Sequence, residues 1–203
     1  MLTTMSDLPA GFADSVLSAQ STFRAVMEAM ARPGSMQRVT AAAGVPAALM
    51  HATSALALTL LDHDTAIWLD PGLAAASGVA AWLKFHTGAP VVEDPASAAF
   101  ALVADGASLP DLGRFALGSN EYPDRSTTVI LQVKSLTEGR TYQLQGPGID
   151  GAASVRALIA PDDLFERLAI NVRLFPRGVD VILVHDDSIV AIPRTTRLTA
   201  VGG

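Results

Sequence analysis

The chain has 203 residues, a net charge of −6 and no cysteine; half of its residues are hydrophobic and 17% are charged. This length suits one domain, which we expect to span residues 1 to 203 with its core at about residues 13 to 197. The acidic balance argues against a nucleic-acid partner, and the absence of cysteine excludes disulfides, thiolate catalysis and cysteine-ligated zinc.

The first half of the chain is expected to be mainly helical. A first helix is predicted over residues 13 to 31, because apolar side chains recur there at helical spacing. A second helix begins near Pro46, and a short strand follows at residues 66 to 69. A third helix is predicted to begin after Asp70 and to stop before Gly88, with aspartate at its cap and proline at its first helical position.

The second half of the chain is richer in strands. Strands are expected at residues 98–103, 128–133, 141–145, 179–184 and 189–192, and a helix at residues 161–171. The strand at 141–145 is expected to pair with the strand at 128–133 across a turn at Glu138-Gly139, and the last two strands form a hairpin. We therefore expect an α/β domain in which helices flank a layered, mixed β-sheet.

The sequence shows no export or membrane signal. The beginning of the chain lacks the basic and apolar regions of a signal peptide, and no apolar run is long enough to span a membrane. We therefore expect a cytoplasmic protein with no membrane partner. The low charged fraction leaves two interpretations open: another protein covers part of the surface, or the composition reflects an alanine-rich genome.

Two polar clusters lie at the ends of predicted core strands. The first comprises Tyr122, Asp124, Arg125, Ser126 and Thr127, just before the strand at 128. The second runs from residue 192 to residue 197 and includes Arg194, Thr195, Thr196 and Arg197. Each arginine offers a planar fork that suits a carboxylate or a phosphate. Either these residues contact a ligand, or they form ion pairs and subunit contacts that fix the loop ends.

Two further sites have alternative interpretations. Asp62 and Asp64 would project to one side of an extended loop and could bind a divalent ion, or they could end one helix and cap the next element. His86 lies at the end of the third predicted helix, where the helix dipole favours its cationic form. It could therefore bind an anion or donate to the last carbonyls of the helix.

The remaining motifs favour no enzyme class. Residues 146 to 151 match G-x-G-x-x-G, but Pro147 removes an amide donor and no long helix follows, so a tight turn is favoured over a nucleotide site. Lys134 follows a core strand, and its neighbours at residues 135 to 139 indicate a solvated turn rather than a Schiff-base site. No serine lies in the G-x-S-x-G pattern of a hydrolase. We predict no metal and no cofactor.

Taken in order, several short motifs resemble one family. They are Phe23-Arg24 with Met27 to Met30 and Pro33-Gly34; Leu60, Asp62, Asp64 and Thr65 with Trp68-Leu69; Phe85-His86-Thr87 with Ala89-Pro90; Gly118 with Glu121 to Ser126; Leu131-Gln132-Val133; Leu144 with Gly146 to Ile149; Phe175-Pro176, Gly178 and Asp180; and Ile192 to Thr196. Their order and spacing resemble the H-subunit (PhnH) family of the bacterial carbon–phosphorus lyase core complex. The resemblance covers roughly residues 20 to 197.

The resemblance implies a homodimer whose fold is similar to the large domain of pyridoxal-phosphate-dependent transferases, without that cofactor. It implies assembly with the G, I and J subunits of the core complex. In that family, with the I, G and L components, adenine of ATP is displaced by methylphosphonate to give α-D-ribose 1-methylphosphonate 5-triphosphate. The later radical cleavage belongs to the J subunit and its iron–sulfur cluster, which agrees with the absence of cysteine here.

Two functions are therefore compared. The first is a non-catalytic or co-catalytic subunit of the carbon–phosphorus lyase complex, because the resemblance carries no established catalytic residue onto this chain. The alternative is an independent binding protein or enzyme of transferase-like fold, which would use Arg125, Arg194 and His86 on a phosphate, a phosphonate or a nucleotide.

Overall fold

The computed structural model describes residues 11–42, 44–159 and 163–201. Its helices are α1 (Ser15–Ala31), α2 (His51–Leu60), α3 (Pro71–Ala75), α4 (Val79–Thr87) and α5 (Leu164–Asn171). Its strands are β1 (Met36–Arg38), β2 (Ile67–Leu69), β3 (Phe100–Val103), β4 (Thr128–Gln132), β5 (Ser135–Gln145), β6 (Ala153–Leu158), β7 (Asp180–His185), β8 (Ser188–Ile192) and β9 (Arg197–Ala200). None of the helices within these ranges is both long and apolar enough to cross a bilayer.

The main sheet has six strands in the order β1-β8-β7-β4-β3-β2. Strands β2, β3, β4 and β7 run parallel, whereas β8 and β1 are antiparallel to their neighbours. The predicted mixed sheet and the predicted hairpin between β7 and β8 are therefore confirmed. Because the parallel strands share one direction, their first residues all lie at one edge of the sheet, which we call the amino-terminal edge.

A second sheet of three antiparallel strands, in the order β6-β5-β9, packs with α5 on one face of the main sheet. Here Tyr142 of β5 stacks on Phe165 of α5, with ring centroids 3.6 Å apart. Helices α1, α2 and α4 cover the other face, where Trp82 is fully buried. The nearly continuous apolar sequence of β4 follows from this arrangement, since a parallel strand covered on both faces has no solvent side.

The predicted third helix is wrong in its extent, because it is two helices. α3 ends at Ala75, and α4 begins after Gly78, which has a φ of +82°. A left-handed residue cannot continue an α-helix, and glycine adopts this conformation without a Cβ clash. The sequence pattern did not reveal the break between α3 and α4, because apolar residues recur at helical spacing on both sides of it.

The predicted hairpin between residues 141–145 and 128–133 is also wrong. Residues 135 to 139, expected to be a turn, belong to the long strand β5, which pairs with β6 and β9 instead of β4. Gly139 has a φ of +93° and lies where the pairing register shifts, so it marks a β-bulge rather than a turn. The predicted start of the last helix, at residue 161, lies outside the described residues.

Candidate functional site

The two polar clusters predicted from the sequence meet at the amino-terminal edge of the main sheet. The first cluster lies just before Thr128, the first residue of β4, and the second follows Ile192, the last residue of the antiparallel strand β8. Between these strands lies β7, whose first residue Asp180 is paired in register with Thr128. The strand order therefore brings the two clusters together around Asp180.

Arg194 connects these segments through its guanidinium group. Its Nε and Nη2 atoms donate to the two carboxylate oxygens of Asp180, at 3.1 and 2.5 Å. Nη1 donates to the carbonyl oxygen of Pro123 at 2.6 Å, and Nη2 also donates to Oγ of Ser126 at 2.5 Å. The Arg194 and Asp180 side chains are only 14% and 13% exposed. We call these four residues the Arg194 clamp; each of the three guanidinium nitrogens donates at least one hydrogen bond within the chain.

The rest of the first cluster is more exposed. The guanidinium carbon of Arg125 lies 4.4 Å from the ring centroid of Tyr122, which is half exposed. The Tyr122 amide donates to Oγ of Ser119 at 2.9 Å, which closes the loop on itself. Asp124 has no ion pair among the described residues and lines an open groove of about 340 Å³ together with Phe175 and the Arg194 clamp. Asp124 and Tyr122 are thus available to a ligand or to another subunit.

A buried threonine fixes the loop of the first cluster to the chain beneath it through two hydrogen bonds. Thr127 is completely buried, and its hydroxyl donates to the carbonyl oxygen of Ala98 at 2.6 Å and accepts from the amide of Ala116 at 3.1 Å. In the second cluster, Thr195 lines the groove beside Arg194, whereas Thr196 is 2% exposed and its hydroxyl has no hydrogen-bond partner among the residues that the structure describes. The backbone of both clusters is therefore firmly held, while the exposed side chains lie above it.

Asp62 and Asp64 lie at the same edge but beside β2, three strand positions from β7. At the usual strand spacing this separation is about 14 Å, so the aspartates do not join the Arg194 clamp. Thr65 Oγ1 and the Asp64 amide both donate to one Asp62 oxygen, at 2.5 and 3.0 Å. These bonds, the hydroxyl first, hold the pKa of Asp62 below its ordinary value. Asp62 therefore behaves as the loop-closing residue of the second interpretation.

His86 lies in the last turn of α4, as predicted. Its ring packs against the rings of Trp82 and Phe85, with centroids 4.8 and 5.0 Å away. The helix end is instead satisfied by Lys84, whose Nζ donates to the carbonyl oxygen of Gly88 at 3.2 Å, and by the Thr87 hydroxyl, which donates to Leu83. No group of three or more metal-ligating side chains occurs within the described ranges, Asp62 to His86 included.

The G-x-G-x-x-G motif forms the turn between β5 and β6, as predicted, and no helix follows it. The Ile149 amide donates to the carbonyl oxygen of Gly146 at 3.2 Å. A Cβ atom on Gly148 would collide with the carbonyl oxygen of Ala31, so the second glycine is required for close packing against the end of α1.

Sequence reasoning missed a cavity of about 410 Å³ at the opposite edge of the main sheet. Asp105, Gln132 and Lys134 line this cavity, where the parallel strands β3 and β4 end. Gln132 is committed to the backbone, because its side chain accepts from the Met50 amide at 2.6 Å. The signal in the sequence was a polar residue at the end of each buried strand or within two residues after it, since open α/β sheets bind ligands where their parallel strands end.

Asp70 closes the same edge at the end of β2. It is 1% exposed; one oxygen accepts from the Leu73 amide at 2.7 Å, and the other accepts from the amides of Ala104 and Asp105 at 2.9 and 3.2 Å. The predicted cap on the helix is confirmed. Asp70 additionally ties β2 to the end of β3, which leaves its carboxylate no capacity for a ligand.

Comparison with known proteins gives the family. The family model of PhnH, a bacterial phosphonate metabolism protein, matches residues 10–199. The chain belongs to the PhnH family. It is 42% identical over 198 residues to the alpha-D-ribose 1-methylphosphonate 5-triphosphate synthase subunit PhnH of Rhizobium meliloti (strain 1021), covering 97% of this chain and 98% of that protein.

A second relative is the putative C-P lyase subunit protein HtxG of Stutzerimonas stutzeri. It is 32% identical over 184 residues, covering 90% of this chain and 87% of that protein. The matched region of the PhnH family contains both polar clusters, the two aspartates before β2 and His86. The family expected from the ordered motifs is therefore confirmed, and the similarity extends through the whole fold described above.

Proposed function

We propose that this chain is a subunit of a multi-subunit phosphonate-catabolic assembly in the cytoplasm. Within it, the chain supports formation of α-D-ribose 1-methylphosphonate 5-triphosphate from ATP and methylphosphonate. The observation that carries the proposal is the 42% identity over 97% of the chain to a subunit named for that synthase. We include in the proposal a homodimer that assembles with the G, I and J subunits, and a fold related to the large domain of pyridoxal-phosphate-dependent transferases.

The surface of α1 supports a role in assembly. Val16, Phe23 and Met27 lie at positions i, i+7 and i+11 of this helix, so their side chains share one face. They are 63%, 50% and 53% exposed, although a helix of this length normally turns such a stripe toward the core. A shallow cavity of about 300 Å³ adjoins Phe23. Large exposed apolar stripes mark protein–protein contacts, and in this proposal α1 contacts another subunit.

The Arg194 clamp supports a structural role for the second cluster. Its arginine is occupied by Asp180 and by two loop groups, so it stabilises the loop instead of binding substrate. In the first cluster, Tyr122 and Asp124 remain exposed above this rigid base, where a partner subunit can contact them. This arrangement supports a non-catalytic or co-catalytic subunit.

Co-purification with tagged G, I and J subunits tests the proposal. We expect the wild-type chain to be recovered in a complex larger than its dimer, and the Phe23→Ser variant to be recovered in markedly lower yield. Val201→Ser is the matched control, because Val201 is 51% exposed next to β9, in the sheet that covers the other face. A wild-type chain that elutes alone beside all three partners would contradict the proposal.

A further inference from the structure

A cavity of about 420 Å³ lies beside the Arg194 clamp at the amino-terminal edge of the main sheet. Its lining residues are Pro147, Val172, Arg173, Phe175, Thr195 and Arg197. They come from the turn after β5, the segment between α5 and β7, and the link between β8 and β9. The volume falls within the range of pockets that hold small organic ligands, and we call it the Phe175 cavity.

The wall of the Phe175 cavity is apolar and fixed by backbone packing. Phe175 is 64% exposed, so much of its aromatic side chain is accessible to a ligand. Pro147 faces the same space from the G-x-G turn. That turn is held against the link to β9, since a Cβ atom on Gly146 would lie only 3.0 Å from the carbonyl oxygen of Thr195. The wall is therefore preformed rather than assembled by a loop movement.

Two guanidinium groups without partners lie at this wall. Within the described part of the chain, Arg173 and Arg197 make no ion pair and their side chains donate no hydrogen bond, although the chain carries 20 acidic residues against 14 basic ones. By contrast, Arg167 is paired with Asp163 at 2.9 Å. Both side chains are exposed at the mouth of one cavity, so their planar forks are accessible to the anionic group of a ligand.

We propose that the Phe175 cavity binds a nucleoside triphosphate. Arg173 and Arg197 pair with the phosphate oxygens, which the guanidinium fork matches in geometry and charge. The flat base stacks on the exposed ring of Phe175, an interaction that tolerates any base because every base has a π face. The site rests on the proposed function, in which ATP is a substrate, and it places the nucleotide on this chain. It needs no other subunit, so the nucleotide can be bound by a chain that fails to assemble.

Titration calorimetry on the full chain, with ATP and inorganic triphosphate as probes, tests this site. We expect saturable binding of one ATP per chain, and binding of inorganic triphosphate that is weaker on the order of tenfold, because it cannot stack. Arg173→Gln and Arg197→Gln should each weaken ATP binding about tenfold, which corresponds to about 1.4 kcal/mol. Phe175→Leu should bring ATP close to the affinity of inorganic triphosphate.

Arg177→Gln is the matched control. Arg177 lies in the same segment and carries the same charge, but it does not line the Phe175 cavity. If Arg177→Gln and Arg173→Gln weaken ATP binding equally, the loss comes from the change in net charge, and the proposal that ATP binds in the Phe175 cavity is wrong. Absence of ATP binding at millimolar concentration by a folded wild-type chain would also overturn it. The co-purification result is independent of both outcomes, so failure of this site and failure of the proposed function are distinguishable.

Discussion

Replacing Arg194 by alanine should destabilise the protein substantially. The substitution removes all four side-chain hydrogen bonds of the guanidinium group, two to Asp180 and one each to Pro123 and Ser126. It also leaves the Asp180 carboxylate, which is 13% exposed, without its cationic partner. Breaking one partner of a buried ion pair costs about 3–5 kcal/mol. Because both side chains keep some contact with water, we expect about 3 kcal/mol.

Thermal unfolding followed by circular dichroism measures this effect. For a chain of this size, about 3 kcal/mol corresponds to a fall in Tm of roughly 6–12 °C. Arg194→Lys keeps the charge but loses the planar fork, so its fall in Tm should be intermediate. Arg125→Ala is the matched control, because its exposed contact with Tyr122 is worth only about 0.5–1 kcal/mol.

A double-mutant cycle with Asp180→Asn separates the ion pair from the two loop contacts. Once Asp180 is neutral, Arg194→Ala should cost at least about 1 kcal/mol less than it does in the wild type, since residues in one network are not additive. At about 2–4 °C per kcal/mol, a fall in Tm of less than about 2 °C for Arg194→Ala would show that the Arg194 clamp contributes little to stability. Strict additivity with Asp180→Asn would show that the two groups do not interact in solution.

Two further predictions concern a glycine within strand β5 and the loop before β2. Gly139→Ala should lower the free energy of unfolding by about 2 kcal/mol or more, because the new Cβ would collide with the Ala157 carbonyl and Gly139 has a positive φ. Urea unfolding measures this change. The control is Gly113→Ala, where the space is open, and it should change the free energy of unfolding by less than about 0.5 kcal/mol. Thr65→Val should raise the pKa of Asp62 in a carbon-NMR titration, because the hydroxyl is the main cause of its lowered value. Because the pKa of Asp62 is lower in the folded chain than in the unfolded one, these bonds to its carboxylate stabilise the fold at a pH above the ordinary aspartate pKa. That stabilisation is lost as the pH falls through the lowered pKa. A Thr65→Val variant in which the pKa of Asp62 is unchanged would contradict this prediction.

The sequence predicted those parts of the fold that depend on local patterns. The hairpin between β7 and β8 followed from two apolar runs separated by Asp186 and Asp187, and the cap at Asp70 followed from its position before a proline. Glu138-Gly139 carried an equally good turn signal and belongs to a strand, because pairing with the distant strand β6 overrides local preference. A local sequence pattern does not show which distant strand a segment pairs with.

The candidate site was predictable only in part, and for a similar reason. Sequence reasoning singled out Arg194 and Ser126 in two separate clusters, and the strand order brings the two clusters together. It did not name Asp180 as the partner of Arg194, although the hairpin register that pairs Val181 with Ile192 already brings Asp180 close to Arg194. The Phe175 cavity was out of reach, since its walls come from three segments that meet only in the folded chain.

The two outermost strands of the main sheet restrict how another chain can join this one. Both edge strands, β1 and β2, are three residues long. The outer side of β2 is further occupied, because the Ile67 amide donates to Pro90 and its carbonyl accepts from Val92. Such short, partly covered edges offer almost no main-chain groups to an added strand. Extension of the main sheet by another chain is therefore disfavoured, and side-chain substitutions should be a sensitive way to map subunit contacts on this sheet.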